Sequence, residues 1–107
     1  MRKFIPYSRQ KIDQKDIQSV KKVLVSDFLT KGSVTEKFEN KISNFLNVKY
    51  SISIINASSA LILACKALDI KKNDIVWTST NTYVSSINCA LHCGAKIDLV
   101  DISLDDY

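Results

Sequence analysis

The pattern of apolar positions predicts an extended arm and then two helices in the first half of the chain. Over residues 13–27, apolar side chains recur every three or four positions, and Asp13 has the residue type of an N-cap. A second helix is predicted over residues 33–47, where Ser33 and Glu36 have the spacing of a capping box. Both helices are expected to be amphipathic.

From residue 50 onward the pattern alternates between strand-like and helix-like segments. Strands are predicted at 50–55, 74–80 and 96–102, and helices at 56–70 and 83–93. This alternation favours an α/β fold with parallel strands and right-handed crossovers, namely a βαβαβ unit preceded by two helices.

The chain is expected to be the N-terminal portion of a larger α/β protein. Parallel sheets are normally covered on both faces, and the sequence closes directly after its third predicted strand. We divide it into an arm with two helices, residues 1–48, and the start of an incomplete α/β domain, residues 49–107.

A candidate anion site lies at residues 56–60, NASSA, where an apolar strand is predicted to meet a helix. Short hydroxyl residues at such a junction leave backbone N–H groups free to hold a phosphate at the helix N-terminus. The alternative is an ordinary capped helix, which also favours Asn or Ser here. Neither GxGxxG nor a Walker motif is present, so dinucleotide and nucleoside-triphosphate binding lose support.

Tyr83 follows the second predicted strand, and its loop is expected at the same sheet edge as NASSA. An aromatic side chain beside a phosphate site suits a flat, phosphorylated aromatic ligand. Packing on a helix face is the alternative role for Tyr83.

Composition excludes several other classes of function. The net charge is +4, but the lysines of the first helix are not interleaved with aromatic residues, so a nucleic-acid surface is not expected. Membrane insertion is not predicted, because the sequence shows neither a leader-like segment nor a run of about 18 apolar residues. The three cysteines, Cys65, Cys89 and Cys93, have no CxxC spacing and no second pair of ligands for zinc, so no metal is expected. Free thiols are typical of a reducing compartment such as the cytoplasm.

In the order and spacing of its blocks, nearly the whole chain resembles the start of the DegT/DnrJ/EryC1/StrS sugar-nucleotide aminotransferases. The matching blocks are FIPYSRQKID, SDFLTKG, TEKFENKISNFLNVKY, NASSAL, VWTSTNTYVSSINCAL and CGAKIDLVDI. The resemblance implies the aspartate-aminotransferase fold (fold type I) and the cofactor pyridoxal 5'-phosphate. The first two blocks are most similar to enzymes that aminate a 4-keto-6-deoxy UDP-sugar for pseudaminic acid.

The resemblance implies roles for five residues. Ser58 and Ser59 would hold the cofactor phosphate, Tyr83 would stack on its ring, and Tyr7 and Thr30 would line the sugar-nucleotide side. Two departures, Ala57 for a common Gly and Thr80 for a common Pro, are expected to be tolerated.

The resemblance also places the Schiff-base lysine beyond residue 107, so no catalytic residue is assigned and the chain alone is expected to be inactive. The full enzyme would be a cytoplasmic homodimer that moves an amino group, with glutamate as the expected donor, to the 4-keto sugar. Two alternatives stay open: a small non-catalytic module that binds a phosphorylated metabolite, and a degraded reading frame without activity.

Overall fold

The computed structural model describes residues 4–105, and the chain divides into two compact units between Ser53 and Ile54. The elements, in chain order, are α1 (Gln14–Leu24), α2 (Ser33–Leu46), α3 (Ala57–Ala67), β1 (Ile75–Ser79), α4 (Ser85–His92) and β2 (Lys96–Val100). The first unit thus contains α1 and α2, and the second contains the remaining helices and both strands. Asp106 and Tyr107, at the acidic C-terminal end, lie outside the described residues.

Helix α1 begins where the sequence predicted, with Asp13 as its N-cap. The Asp13 carboxylate accepts hydrogen bonds from the backbone N–H groups of Lys15 (2.7 Å) and Asp16 (3.1 Å). The Asp16 carboxylate accepts the N–H of Asp13 in return, at 2.9 Å. This reciprocal pair is a capping box, and it satisfies donors that the first helical turn leaves without partners.

The capping box predicted for α2 is wrong. Gly32 is the N-cap, Ser33 is already helical, and no side chain caps this helix start. Glycine is a common N-cap residue although it has no side chain to accept a hydrogen bond. The C-terminal end was predicted correctly, since Asn47 closes α2 in the left-handed conformation with φ 52°.

The predicted strand at 50–55 is a second correction, because these residues form no strand in the structure. A strand needs a neighbour for its hydrogen bonds, and the described residues pair only β1 with β2. The N–H of Ser53 instead donates to the carboxylate of Glu39 on α2, at 2.7 Å, and its hydroxyl donates to the same oxygen at 2.8 Å. These bonds tie the segment to α2 in place of a strand partner.

The second unit is a parallel strand pair joined through α4. Strands β1 and β2 run in register from Ile75 opposite Lys96 to Ser79 opposite Val100, which confirms the parallel pairing predicted for them. Helix α4 packs on both strands and on α3. It ends before Gly94, whose φ of +79° suits a residue without a Cβ.

The core of this unit is small. Among the described residues, the buried apolar side chains are Cys89, Ala90 and Ala95, on α4 and just before β2. Trp77 in the centre of β1 is 71% exposed, and Leu99 in β2 is 51% exposed. The sheet therefore presents apolar side chains to solvent, which globular proteins normally cover.

Candidate functional site

The N-terminus of α3 carries open hydrogen-bond donors. Asn56 is the N-cap, and its side-chain oxygen accepts the N–H of Ser59 at 2.8 Å. The carbonyl of Asn56 accepts the N–H of Ala60 at 3.1 Å. Within residues 4–105, the N–H groups of Ala57 and Ser58 have no acceptor assigned to them. Asn56 is thus a true cap, and the same helix end still offers two donors to an anion.

The starts of α3 and α4 are joined by a hydroxyl pair. The Oγ atoms of Ser58 and Ser85 lie 2.6 Å apart, and both side chains are partly buried. Ser85 was not among the site residues predicted from the sequence. Its signal is the Ser85–Ser86 pair directly after Tyr83, but only the packing of α4 on α3 decides which of the two hydroxyls contacts Ser58.

The electrostatics of this region favour a negatively charged ligand. Neither α3 nor α4 has an acidic residue in its first turn. The helix macrodipole places partial positive charge at a helix N-terminus, and a carboxylate there would cancel it. An anion at α3 would therefore meet N–H groups and hydroxyls without a competing side-chain charge.

Tyr83 lies in the loop between β1 and α4, two residues before the helix begins. The sequence had predicted Tyr83 as the first helical residue, but the helix starts at Ser85 because Val84 is its N-cap. The Tyr83 side chain is 75% exposed, so it does not pack on a helix face. With Cα atoms about 3.8 Å apart along the chain, the Cα of Tyr83 lies within about 8 Å of that of Ser85. Ser85 contacts Ser58, so the aromatic ring is attached close to the α3 terminus.

Hydrogen bonds to β2 and to α4 hold this loop in place. Its first N–H, from Thr80, donates to the carbonyl of Val100 on β2 at 3.1 Å. The hydroxyl of Thr82 donates to the Ser86 hydroxyl at 3.0 Å. The Tyr83 carbonyl accepts the N–H of Ser86 at 2.9 Å. The backbone that carries the ring is therefore anchored to both β2 and α4.

The other two predicted site residues, Tyr7 and Thr30, belong to the first unit. Tyr7 lies in the arm before α1, and Thr30 lies in the turn between α1 and α2; both side chains are exposed. A cavity of about 630 Å³ adjoins this turn, lined in part by Phe28, Leu29 and Gly32. Its walls come from α1, the turn and the start of α2, and it is open enough for a small molecule to enter.

No helix within residues 4–105 combines the length and the apolar character required to cross a bilayer.

Comparison with known proteins identifies one family. Residues 10–107 match the model of the DegT/DnrJ/EryC1/StrS aminotransferase family. The chain is 41% identical over 101 residues to a UDP-4-amino-4,6-dideoxy-N-acetyl-beta-L-altrosamine transaminase of Campylobacter jejuni, covering 94% of this chain and 27% of the relative. It is 36% identical to the spore coat polysaccharide biosynthesis protein SpsC of Bacillus subtilis, with 92% and 25% covered.

Solved structures agree in fold. Spr1654 of Streptococcus pneumoniae, described as a sugar aminotransferase, superposes with a TM-score of 0.89 at 30% identity, over 94% of this chain and 26% of its own. It was solved with pyridoxal phosphate (PLP-form) and as a PMP-form. An aminotransferase of Psychrobacter cryohalolentis gives a TM-score of 0.83 at 29% identity, over 92% and 26%. The chain thus spans about a quarter of the length of these proteins.

Proposed function

Because the chain belongs to the DegT/DnrJ/EryC1/StrS aminotransferase family, whose cofactor is pyridoxal phosphate, we propose that its second unit holds the phosphate and ring of that cofactor. The observation that carries the proposal is the α3 terminus, where the free N–H groups of Ala57 and Ser58 adjoin the paired Ser58 hydroxyl. These donors fit a phosphate, which accepts hydrogen bonds and is favoured by a helix N-terminus. The absence of acidic residues from the first turns of both helices supports the same ligand.

Each residue has a distinct task in this proposal. Ser58 donates to the phosphate by its hydroxyl and backbone N–H, Ser59 donates by its hydroxyl, and together they fix the cofactor at one end. Tyr83 lies flat against the pyridine ring and limits its rotation; its exposed ring is available for such a contact. Asn56 stabilises the start of α3 because its side-chain oxygen accepts the Ser59 N–H.

In the first unit, Tyr7 and Thr30 are proposed to contact the nucleotide sugar. Both side chains are exposed. The cavity beside the turn that carries Thr30 has room for part of such a ligand, although neither residue lines it. We propose the division into 1–48 and 49–107 on this functional ground, with the sugar contacts before and the cofactor contacts after the boundary.

The bound cofactor carries the amino group between donor and acceptor and serves as the electron sink of the reaction. Because the resemblance to the family places the lysine that attaches the cofactor beyond residue 107, the covalent attachment is assigned to no residue of this chain. We accordingly propose that the 107 residues alone bind the cofactor but do not catalyse amino transfer.

The proposed reaction is amino transfer from glutamate to a 4-keto-6-deoxy nucleotide sugar, for a cell-surface sugar such as pseudaminic acid. The name of the Campylobacter jejuni transaminase, which specifies a UDP-4-amino-4,6-dideoxy sugar, supports the sugar class. The name of SpsC supports a role in polysaccharide biosynthesis. The proposal places the enzyme in the cytoplasm as a homodimer.

The proposal is tested by binding of pyridoxamine 5'-phosphate, which unlike pyridoxal phosphate does not react with surface lysines. Calorimetric titration of the chain should show tighter binding than for pyridoxamine, which lacks the phosphate. Ser58→Ala should reduce that preference, because it removes the hydroxyl and keeps the backbone N–H groups. Tyr83→Ala should weaken both ligands equally, because the ring contact does not involve the phosphate.

The matched control is Tyr50→Ala, because Tyr50 is as exposed as Tyr83 (74% and 75%) and lies outside the proposed site. It should bind both ligands as the original chain does. Equal affinity of the original chain for the two ligands would show that NASSA holds no phosphate and would refute the proposal.

A further inference from the structure

The contact between Ser58 and Ser85 has a direction that phosphate binding would determine. At 2.6 Å the two hydroxyl oxygens share one hydrogen, and either residue can be the donor. A serine hydroxyl has a single hydrogen. An ionised phosphate oxygen accepts and does not donate, so the Ser58 hydroxyl can bind it only by donating its own hydrogen. Its oxygen must then accept the hydrogen of Ser85.

We propose that Ser85 is a positioning residue for the cofactor phosphate, acting through Ser58 as the second donor in a chain that runs from Ser85 to Ser58 to the phosphate. The inference rests on the proposed function, since it concerns the same phosphate. Ser85 itself does not touch the ligand.

The backbone at the start of α4 supports an indirect role. The N–H of its first residue, Ser85, has no acceptor among the described residues, but the next three already have partners: Ser86 donates to the Tyr83 carbonyl at 2.9 Å, and Ile87 and Asn88 donate to the Val84 carbonyl at 3.1 and 3.0 Å. At α3, in contrast, the N–H groups of the first two residues are open. Helix α3 thus leaves two adjacent N–H groups open and α4 only one, so the anion is assigned to α3 and the Ser85 hydroxyl supports it through Ser58.

The Ser85 hydroxyl is suited to this task because nothing in its own helix requires it. Val84 is the N-cap of α4 and no side chain caps that helix. The hydrogen bond from the Ser85 hydroxyl restricts the rotamer of Ser58 before the ligand binds. It also polarises the Ser58 O–H bond, because hydrogen bonds in series strengthen one another. Both effects raise affinity for the phosphate and leave affinity for the ring unchanged.

The test compares pyridoxamine 5'-phosphate with pyridoxamine, using the intact chain. Ser85→Ala is expected to weaken the phosphorylated ligand roughly fivefold, the size of one ordinary hydrogen bond, and to leave pyridoxamine unchanged. Ser85→Thr keeps the hydroxyl and should restore most of the preference. Ser86→Ala is the matched control, because the hydroxyl of Ser86 is next to Ser85 in the sequence but bonds Thr82 and not Ser58.

A double-mutant cycle separates positioning from a general structural effect. If Ser85 acts through Ser58, adding Ser85→Ala to Ser58→Ala should cause no further loss of phosphate preference. Additive losses would overturn the positioning role. Far-ultraviolet circular dichroism of each variant checks that α3 and α4 remain folded.

Failure of this inference and of the proposed function give different results. If Ser58→Ala reduces the preference and Ser85→Ala retains it in full, Ser85 has no part in phosphate binding while the proposed function stands. If the original chain does not prefer the phosphorylated ligand, both are refuted.

Discussion

Asn56 performs two roles that a pair of substitutions can separate: it caps α3, and it borders the proposed phosphate. Its side-chain oxygen accepts the Ser59 N–H at 2.8 Å. Asn56→Ala removes this acceptor and leaves the donor to solvent. Asn56→Asp keeps an acceptor of equal capping strength but adds a negative charge at the same helix end.

The expected magnitudes differ between the two variants. Loss of an N-cap side chain costs about 1 kcal/mol, so Asn56→Ala should lower the free energy of unfolding by that amount, whereas Asn56→Asp should change it little. The carboxylate introduced by Asn56→Asp and one unit of phosphate charge, about 5 Å apart in water, repel by about 0.8 kcal/mol. A phosphate carries nearly twice that charge, so Asn56→Asp should weaken its binding roughly tenfold.

Two measurements on the same variants check this reasoning. Urea unfolding followed by circular dichroism gives stability, and titration with pyridoxamine 5'-phosphate and pyridoxamine gives the phosphate preference. Asn56→Asp should be stable with a reduced preference. If it binds the phosphorylated ligand as tightly as the original chain, the anion does not lie at this helix end. If Asn56→Ala unfolds at the same urea concentration as the original chain, the observed cap contributes nothing.

Three further predictions concern the scaffold. Hydrogen bonds from Ser53 hold the pKa of the Glu39 carboxyl below its ordinary 4.5. The stabilisation from the ionised carboxylate is therefore present above pH 4.5 and is lost as the pH falls through the lowered pKa. Glu39→Gln should make the urea midpoint less dependent on pH in that range. Gly94→Ala should cost about 1 to 2 kcal/mol because its φ is +79°, and Gly94→Asn, measured in the same way, should cost less. Burial raises the pKa of the Cys65 thiol. Iodoacetamide should therefore modify Cys65 more slowly in the folded than in the urea-unfolded chain, as measured by mass spectrometry, and equal rates would contradict that environment.

Elements set by local signals were predictable from the sequence. The Asp13 cap of α1, the left-handed Asn47 after α2, and the stop of α4 at Gly94 depend on residues within a turn of the boundary. The NASSA junction was equally local, because a capping Asn followed by two serines needs no distant partner to form. The parallel pairing of β1 with β2 followed from the helix between them.

Features that depend on partners distant in sequence were not predictable. The apolar segment 50–55 has strand composition, yet Ser53 bonds the Glu39 carboxylate and no strand pairs with it among the described residues. Ser85 looked no different from Ser86 in the sequence.

The sequence by itself determined where helices begin, which loop presents N–H groups, and which family the chain resembles, because each is encoded by adjacent residues or by their order. Only the tertiary structure decided that the hydroxyl of Ser85 meets that of Ser58, 27 positions away. That contact exists because α4 packs on α3, and a packing angle is fixed by the shape of both helices and not by either sequence alone.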